Sequence, residues 1–240
     1  KEAGRSLWAG LMEPPHKSTR HGWGAQEWLK DSSSTDVAIH AGRIISTFYQ
    51  CGEAYRLDPF TLEQFGTESW VPLDGISAHC KVDLATGELM FFNYSKHAPY
   101  MHYGVVGADN KLKHYIPVPL AGPRLPHDMA ITEHYSVLMD LPLVQDAAAA
   151  RQGRHKIVFD PTTPARFAVL PRRGTQVRWF TAEPCYIYHV VAAWEDGQTI
   201  VMDVCRVTRP APVPTRPGPL GRLLGYMRLD AHLHRYVFDL

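Results

Sequence analysis

From Asp36 onward, apolar and polar residues alternate in short runs broken by turn residues, the two-residue period of β-strands and not the 3.6-residue period of helices. The pattern predicts strands at Val37–His40, Arg43–Tyr49, Ile76–Val82, Glu88–Tyr94, Met101–Val106, Lys111–Ile116, Met129–Glu133 and Tyr135–Met139. Further strands are predicted at Arg166–Leu170, Val177–Thr181, Ile187–Trp194, Thr199–Val207, Leu223–Leu229 and His234–Phe238. Turn chemistry separates several of them, at Ala41-Gly42, Ala85-Thr86-Gly87, Asp109-Asn110 and Asp196-Gly197. One helix is expected, at Val144–Arg151, where Gln145-Asp146 leads into four alanines. Residues 1–34 are rich in Gly, Pro, Ser and Lys, show no clean period, and are expected to be an irregular N-terminal segment.

Short antiparallel strands at this spacing define an all-β chain: a sandwich, a barrel or a propeller. The recurring unit of strand pair, turn and strand pair has roughly the size of a four-stranded blade, which favours a propeller, and a double-sheet sandwich fits almost as well. At 240 residues the chain can bury a sizeable core, as one large β domain or two ordinary ones. Aromatic residues at 11% and 19 prolines suit strands and turns.

Charge narrows the partners. With 25 Lys+Arg against 24 Asp+Glu and no basic block, nothing favours nucleic-acid binding. No run of 18 apolar residues marks a membrane-spanning helix, and no secretory signal is visible. Cys51, Cys80, Cys185 and Cys205 form no CxxC pair, so reduced thiols and a cytoplasmic setting are expected. The chain opens at Lys1 and stops within the strand-like run Tyr236–Leu240, so both ends read as cut.

Among 13 histidines, three stand out: His79, His127 and His189, 48 and 62 residues apart in three separate strand-like segments. Ligands so far apart cannot form a local zinc finger, and three neutral imidazoles on a rigid scaffold suit a catalytic iron or zinc with open positions. His79 follows the small Ala78 near a strand start, His127 sits between Pro126 and Asp128 at a strand entry, and His189 lies between Tyr188 and Val190 in an apolar strand. The others have plainer roles. His16, His21, His155, His232 and His234 read as surface residues, His40 and His134 adjoin turns, and His97, His102 and His114 lie in or beside the strand pair 101–116.

Other chemistry is poorly supported. GxSxG, HExxH, P-loop and strand–helix GxGxxG motifs are all missing, which removes the usual hydrolase, zincin and nucleotide readings. Cys80 beside His79 is expected to be a buried bystander, because neighbouring strand residues point to opposite faces. The Asp128/Glu133 and Glu195/Asp196 carboxylates could act as acid/base groups, with solvated turn carboxylates the expected reading. The Pro-rich run 209–219 reads as an extended surface loop.

The segments EAYRLDPFTLEQFG (53–66), SAHCKVDLATGELMFFNY (77–94), PRLPHDMAITEHYSVLMDLPL (123–143), RFAVLPR (166–172) and YHVVAAWEDG (188–197) closely resemble the carotenoid cleavage oxygenase family. That family includes carotenoid, apocarotenoid and lignostilbene dioxygenases and retinoid-processing enzymes. The resemblance runs from about residue 35 to 240. It implies part of a seven-bladed β-propeller, with residues 1–240 forming a single partial domain truncated at both ends. It implies a non-haem Fe(II), or Fe(2+), on the propeller axis held by four histidines, the first three matched by His79, His127 and His189. It also implies cleavage of a conjugated C=C bond by O2 to two carbonyl products. The substrate class is a lipophilic polyene or stilbene-like molecule reached through an apolar tunnel, and such substrates suit peripheral membrane contact.

The chain departs from the family pattern. The fourth histidine has no counterpart before Leu240, and His232 and His234 do not sit in its motif. The first outer-sphere glutamate of the family aligns with Gln50, a neutral hydrogen-bond partner. With a ligand and closing strands missing, the 240-residue piece alone is expected to be inactive. The leading expectation is therefore an iron-dependent dioxygenase seen as a partial chain. The alternatives are a non-catalytic β-propeller binding module that has lost iron, and a zinc hydrolase using the same three histidines. Oligomeric state, substrate and the double bond attacked are left open.

Overall fold

The computed structural model describes residues 31–240 apart from 153–155, 211–213, 215 and 227–228. The described residues form antiparallel strands with two short helices, in two compact units that meet in sequence between Pro119 and Leu120.

The first unit holds two four-stranded meanders. One runs β1 (Asp36–His40), β2 (Arg43–Thr47), β3 (Tyr55–Leu57) and β4 (Gln64–Thr67). The other runs β5 (Lys81–Val82), β6 (Leu89–Tyr94), β7 (Met101–Val106) and β8 (Leu112–Pro117). Each has the size and order of a propeller blade. Ala41 and Gly42 join β1 to β2 with φ of 47° and 74°, the paired positive angles that let a two-residue turn match strand twist. All six residues of β6 are buried, Asn93 among them, so the strand is covered on both faces. Leu89 and Phe91 pack with Ile45, Ile76, Trp70 and Val106. Across from Phe91, Gly104 leaves the space its ring occupies; a Cβ there would lie 2.3 Å from Phe91 Cζ.

The second unit has a sheet ordered β14-β13-β10-β9, from β9 (Ala130–Ile131), β10 (Tyr135–Asp140), β13 (Ala165–Pro171) and β14 (Arg178–Ala182). A two-stranded ribbon pairs β11 (Leu143–Gln145) with β12 (Ile157–Phe159). Three longer strands form β15 (Tyr186–Asp196), β16 (Thr199–Val207) and β17 (Ala231–Asp239). Val137, Met139, Phe167 and Val169 of one sheet pack with Tyr186, Ile200, Met202, Val204 and Phe238 of the other. Asp140, almost fully buried, accepts from Arg124 Nε at 2.9 Å and Arg166 Nε at 2.8 Å, and the Arg166 guanidinium lies 4.3 Å from the Trp179 ring centre. A buried carboxylate needs such paired donors.

Several expectations change. Leu223–Leu229 does not begin as a strand: residues 219–226 form helix α2 (Pro219–Tyr226), in which Leu220, Leu223 and Leu224 follow the i, i+3, i+4 spacing of a helix face after a proline suited to the first turn. Ile76–Val82 shrinks to β5 because Ile76 makes only an isolated bridge to Gly52 before the chain turns at His79. The expected helix begins later, as α1 (Ala147–Arg151), since pairing with β12 holds residues 143–145 extended. Asp146 caps α1 by accepting from Ala148 and Ala149 amides at 2.9 and 3.0 Å. Strands β3, β4, β11 and β12, of three or four residues each, are too short for alternation to announce them. Cys51, Cys80, Cys185 and Cys205 are in no disulfide in this structure. Residues 1–30, His16, His21, His155 and part of 209–219 lie outside the described residues.

Glu195 on β15 ties that strand to the turn before β10. It accepts from Thr132 Oγ1 at 2.6 Å, from the His134 amide at 2.7 Å and from His134 Nδ1 at 2.8 Å. Its expected reading as a solvated turn carboxylate is therefore wrong. Burial pushes the Glu195 carboxyl up, but the bonds from Thr132 and His134 outweigh it and hold it below its ordinary value. The same hydrogen bond, and then the carboxylate charge, hold exposed His134 above the ordinary histidine value.

Gly104→Ala should lower stability by about 1–3 kcal/mol, because the Phe91 ring must leave its well; a urea midpoint matching the wild type would refute this. His134 should titrate above about 6.5 by NMR and fall toward it in Glu195→Gln. Because its folded value is raised, its stabilising contribution is complete below the unfolded value and fades as pH rises through the folded one. The stability gap between wild type and His134→Ala should accordingly narrow in alkaline buffer.

Candidate metal centre

His127 and His189 come together in the second unit, with ring centres 5.2 Å apart and planes at 67°. His189 lies inside β15, as its apolar surroundings suggested, at a place where the pairing with β16 slips. Ile187 faces Arg206 and Val190 faces Val204, so one extra residue is inserted on β15 beside His189. Such a bulge re-aims a side chain without ending the strand. His189 is exposed and His127 half-buried.

Asp128 fixes the two histidine segments to each other. Its carboxylate is buried; Oδ1 accepts from the Met129 amide at 2.7 Å and Oδ2 from the Val190 amide at 2.8 Å. It is no solvated turn group, because every strand-entry amide near it needs an acceptor. Aromatic packing adds support. Tyr188 sets its edge against the His127 ring at 5.4 Å, and Tyr186 against Tyr188 at 4.8 Å. The Tyr186 hydroxyl in turn donates to the Leu125 carbonyl at 2.7 Å. His127 is thus held from both sides, three residues before β9 and not at its first residue.

His79 sits in the first unit, between the Ile76 bridge and β5, with φ of 60°. Positive φ is uncommon for a residue with a Cβ, and it takes His79 out of the strand expected there. The opposite-faces argument for Cys80 therefore lapses. The Cys80 thiol instead lies 3.6 Å from the Ser77 carbonyl, within reach of a weak S–H donation. His79 Nδ1 is 2.8 Å from Asp36 Oδ2. An ionised carboxylate has no proton to give, so Nδ1 carries the hydrogen and, in the neutral ring, Nε2 keeps its lone pair. Asp36 lies 43 residues from His79 at the head of an ordinary strand, and nothing in the sequence around it announces this contact.

Gln50, expected as an outer partner of the metal, is buried in the turn after β2. Glu133 is exposed. His102 stacks on Tyr115 at 4.9 Å, a wall histidine as expected, whereas His40 is buried despite its turn position. His234 is half-buried and packs on Tyr236 at 4.6 Å, against its expected surface placement; His232 is exposed. Among the described residues, no helix is long and apolar enough to cross a membrane.

Comparison with known proteins adds the lineage. The family model described as Retinal pigment epithelial membrane protein (RPE65) matches residues 1–240. A carotenoid 9,10(9',10')-cleavage dioxygenase 1 of Pisum sativum is 41% identical over 138 residues, 56% of this chain and 26% of the relative. An isoeugenol monooxygenase of Pseudomonas nitroreducens is 31% identical over 180 residues, 72% of this chain and 37% of the relative. The crystal structure of Pseudomonas brassicacearum lignostilbene dioxygenase superposes with a TM-score of 0.72 at 28% identity, covering 88% of this chain and 45% of that one. The chain thus spans about a quarter to a half of the length of these proteins. The fold class is all-β, part of the seven-bladed β-propeller of these enzymes. With its whole length matched by the family model and its β meanders matched by the solved fold, this chain belongs to the RPE65, or carotenoid cleavage oxygenase, family.

Proposed function

We propose that His79, His127 and His189 are ligands of a non-haem Fe(II) centre in a dioxygenase that cleaves a conjugated C=C bond of a lipophilic substrate. The observation that carries this reading is the His127–His189 pair, two imidazoles brought together beside a β-bulge and a buried carboxylate. The donor set suits the metal. Neutral imidazole nitrogens bind ferrous iron well, and three of them leave positions open. The relatives named for carotenoid and isoeugenol chemistry support the same substrate class.

Bound Fe(II) would supply O2 activation, so that R–CH=CH–R′ and O2 yield R–CHO and R′–CHO, one oxygen atom in each product. The chain's own residues prepare the site for it. Asp36 keeps the His79 proton on Nδ1 and so directs Nε2 outward. Asp128 and the β15 bulge hold His127 and His189 against drift, and Tyr188 blocks rotation of the His127 ring. Rigid presentation of this kind is what a metal site requires.

Anaerobic iron loading followed by metal analysis should show iron in the wild type. His79→Ala, His127→Ala and His189→Ala should each weaken it by more than the roughly 10–100-fold that an outer-sphere partner contributes. Full retention in all three variants would end the proposal. Product analysis of the full-length parent under ¹⁸O2 with a carotenoid, an apocarotenoid and a stilbene should find label in both carbonyl products. Turnover without O2 would point to a zinc hydrolase. Neither iron nor O2 uptake would point to a binding module.

A further inference from the structure

His79 has a less secure backbone than its partner ligands. It lies outside any strand, at a positive φ that a histidine adopts at some cost, between a single isolated bridge and the two-residue strand β5. Backbone pairing alone does not orient its ring. Asp36 does. One oxygen of this carboxylate is occupied by the Val37 amide at 2.8 Å and the other faces His79 Nδ1 at 2.8 Å. The Asp36 backbone is pinned in turn, because it pairs with Thr47 across β1 and β2 and its carbonyl accepts the Thr47 hydroxyl at 3.3 Å. The carboxylate therefore has little freedom to turn away.

We propose that Asp36 is a positioning residue for the metal, an anionic outer partner that orients His79 and raises the donor strength of its Nε2. The proposal rests on the reading of His79, His127 and His189 as ligands. Histidine ligands commonly donate their second N–H to a carboxylate, which fixes the tautomer and makes the ring a better base. The two residues Gln50 and Asp36 differ in what they could give. An amide at Gln50 adds no charge, whereas Asp36 places one negative charge against a ligand of a dication. The Asp36 side chain is 36% exposed and that of His79 14%, so solvent screens the charge in part. The loss on removal should fall within the range of other outer-sphere carboxylates.

The test is binding of Co(II) and Fe(II) alone, by anaerobic chelator competition, to wild type, Asp36→Ala, Asp36→Asn, Asp36→Glu and His79→Ala. Asp36→Ala should bind about 10–100-fold more weakly. Asp36→Asn, which keeps an acceptor and loses the charge, should fall between, and Asp36→Glu should recover part of the loss. The Co(II) d–d absorption bands should shift in Asp36→Asn, a signature that a purely structural tie would not move. Thermal melts of the metal-free proteins identify any variant that fails to fold, and the near-isosteric Asp36→Asn then carries the comparison. Affinity and spectrum equal to the wild type in both Asp36→Ala and Asp36→Asn would overturn the role of Asp36. Wild-type affinity in His79→Ala would instead overturn the ligand reading itself, so the two failures are distinguishable.

Discussion

The site depends first on one buried carboxylate. Asp128 has two oxygens out of water, and each must accept a hydrogen bond or the charge becomes very costly. The amides of Met129 and Val190 meet that demand, and in doing so they join two stretches of chain 62 residues apart. The bond to Val190 falls at the point where β15 slips against β16, so the carboxylate grips the strand at its bulge. His127 and His189 each adjoin one end of this tie. Their closeness follows from the desolvation cost of a neighbour.

A second carboxylate works by the same chemistry in a different setting. Asp36 is half in solvent and serves a side chain, where Asp128 is buried and serves the backbone. Glu195 combines the two, holding a hydroxyl, an amide and an imidazole of one turn. All three are acids on or beside strands, and all three act by accepting hydrogen bonds at fixed places. None of them needs to exchange a proton for that purpose.

The sequence revealed the site unevenly. His189 was legible because an imidazole in the middle of an apolar strand has few bland explanations. His127 was legible from its Pro126 and Asp128 neighbours, which imply a fixed strand entry. The alternation puts His79 in a strand, yet the chain leaves the strand there, and no local pattern reports a positive φ at a histidine. Asp36 was not found at all. An acid that opens a strand looks solvated, and its contact with His79 exists only after folding.

What the sequence by itself determined is the class of structure: two-residue alternation and tight turns at Ala41-Gly42 and Asp196-Gly197 call for antiparallel sheets, which bury one face of each strand while pairing the backbone groups. It also carried the motifs that mark the family. Tertiary structure decided the rest. Pairing with Ile157–Phe159 kept residues 143–145 extended against their helical neighbours, and residues 219–226 form a helix where alternation suggested a strand. Side-chain hydrogen bonds between residues 43 to 63 apart chose which acids became structural and which stayed in water. Local preferences are worth only tenths of a kcal/mol to about 1 kcal/mol per residue, and unpaired buried polar groups cost more, so the long-range contacts prevail.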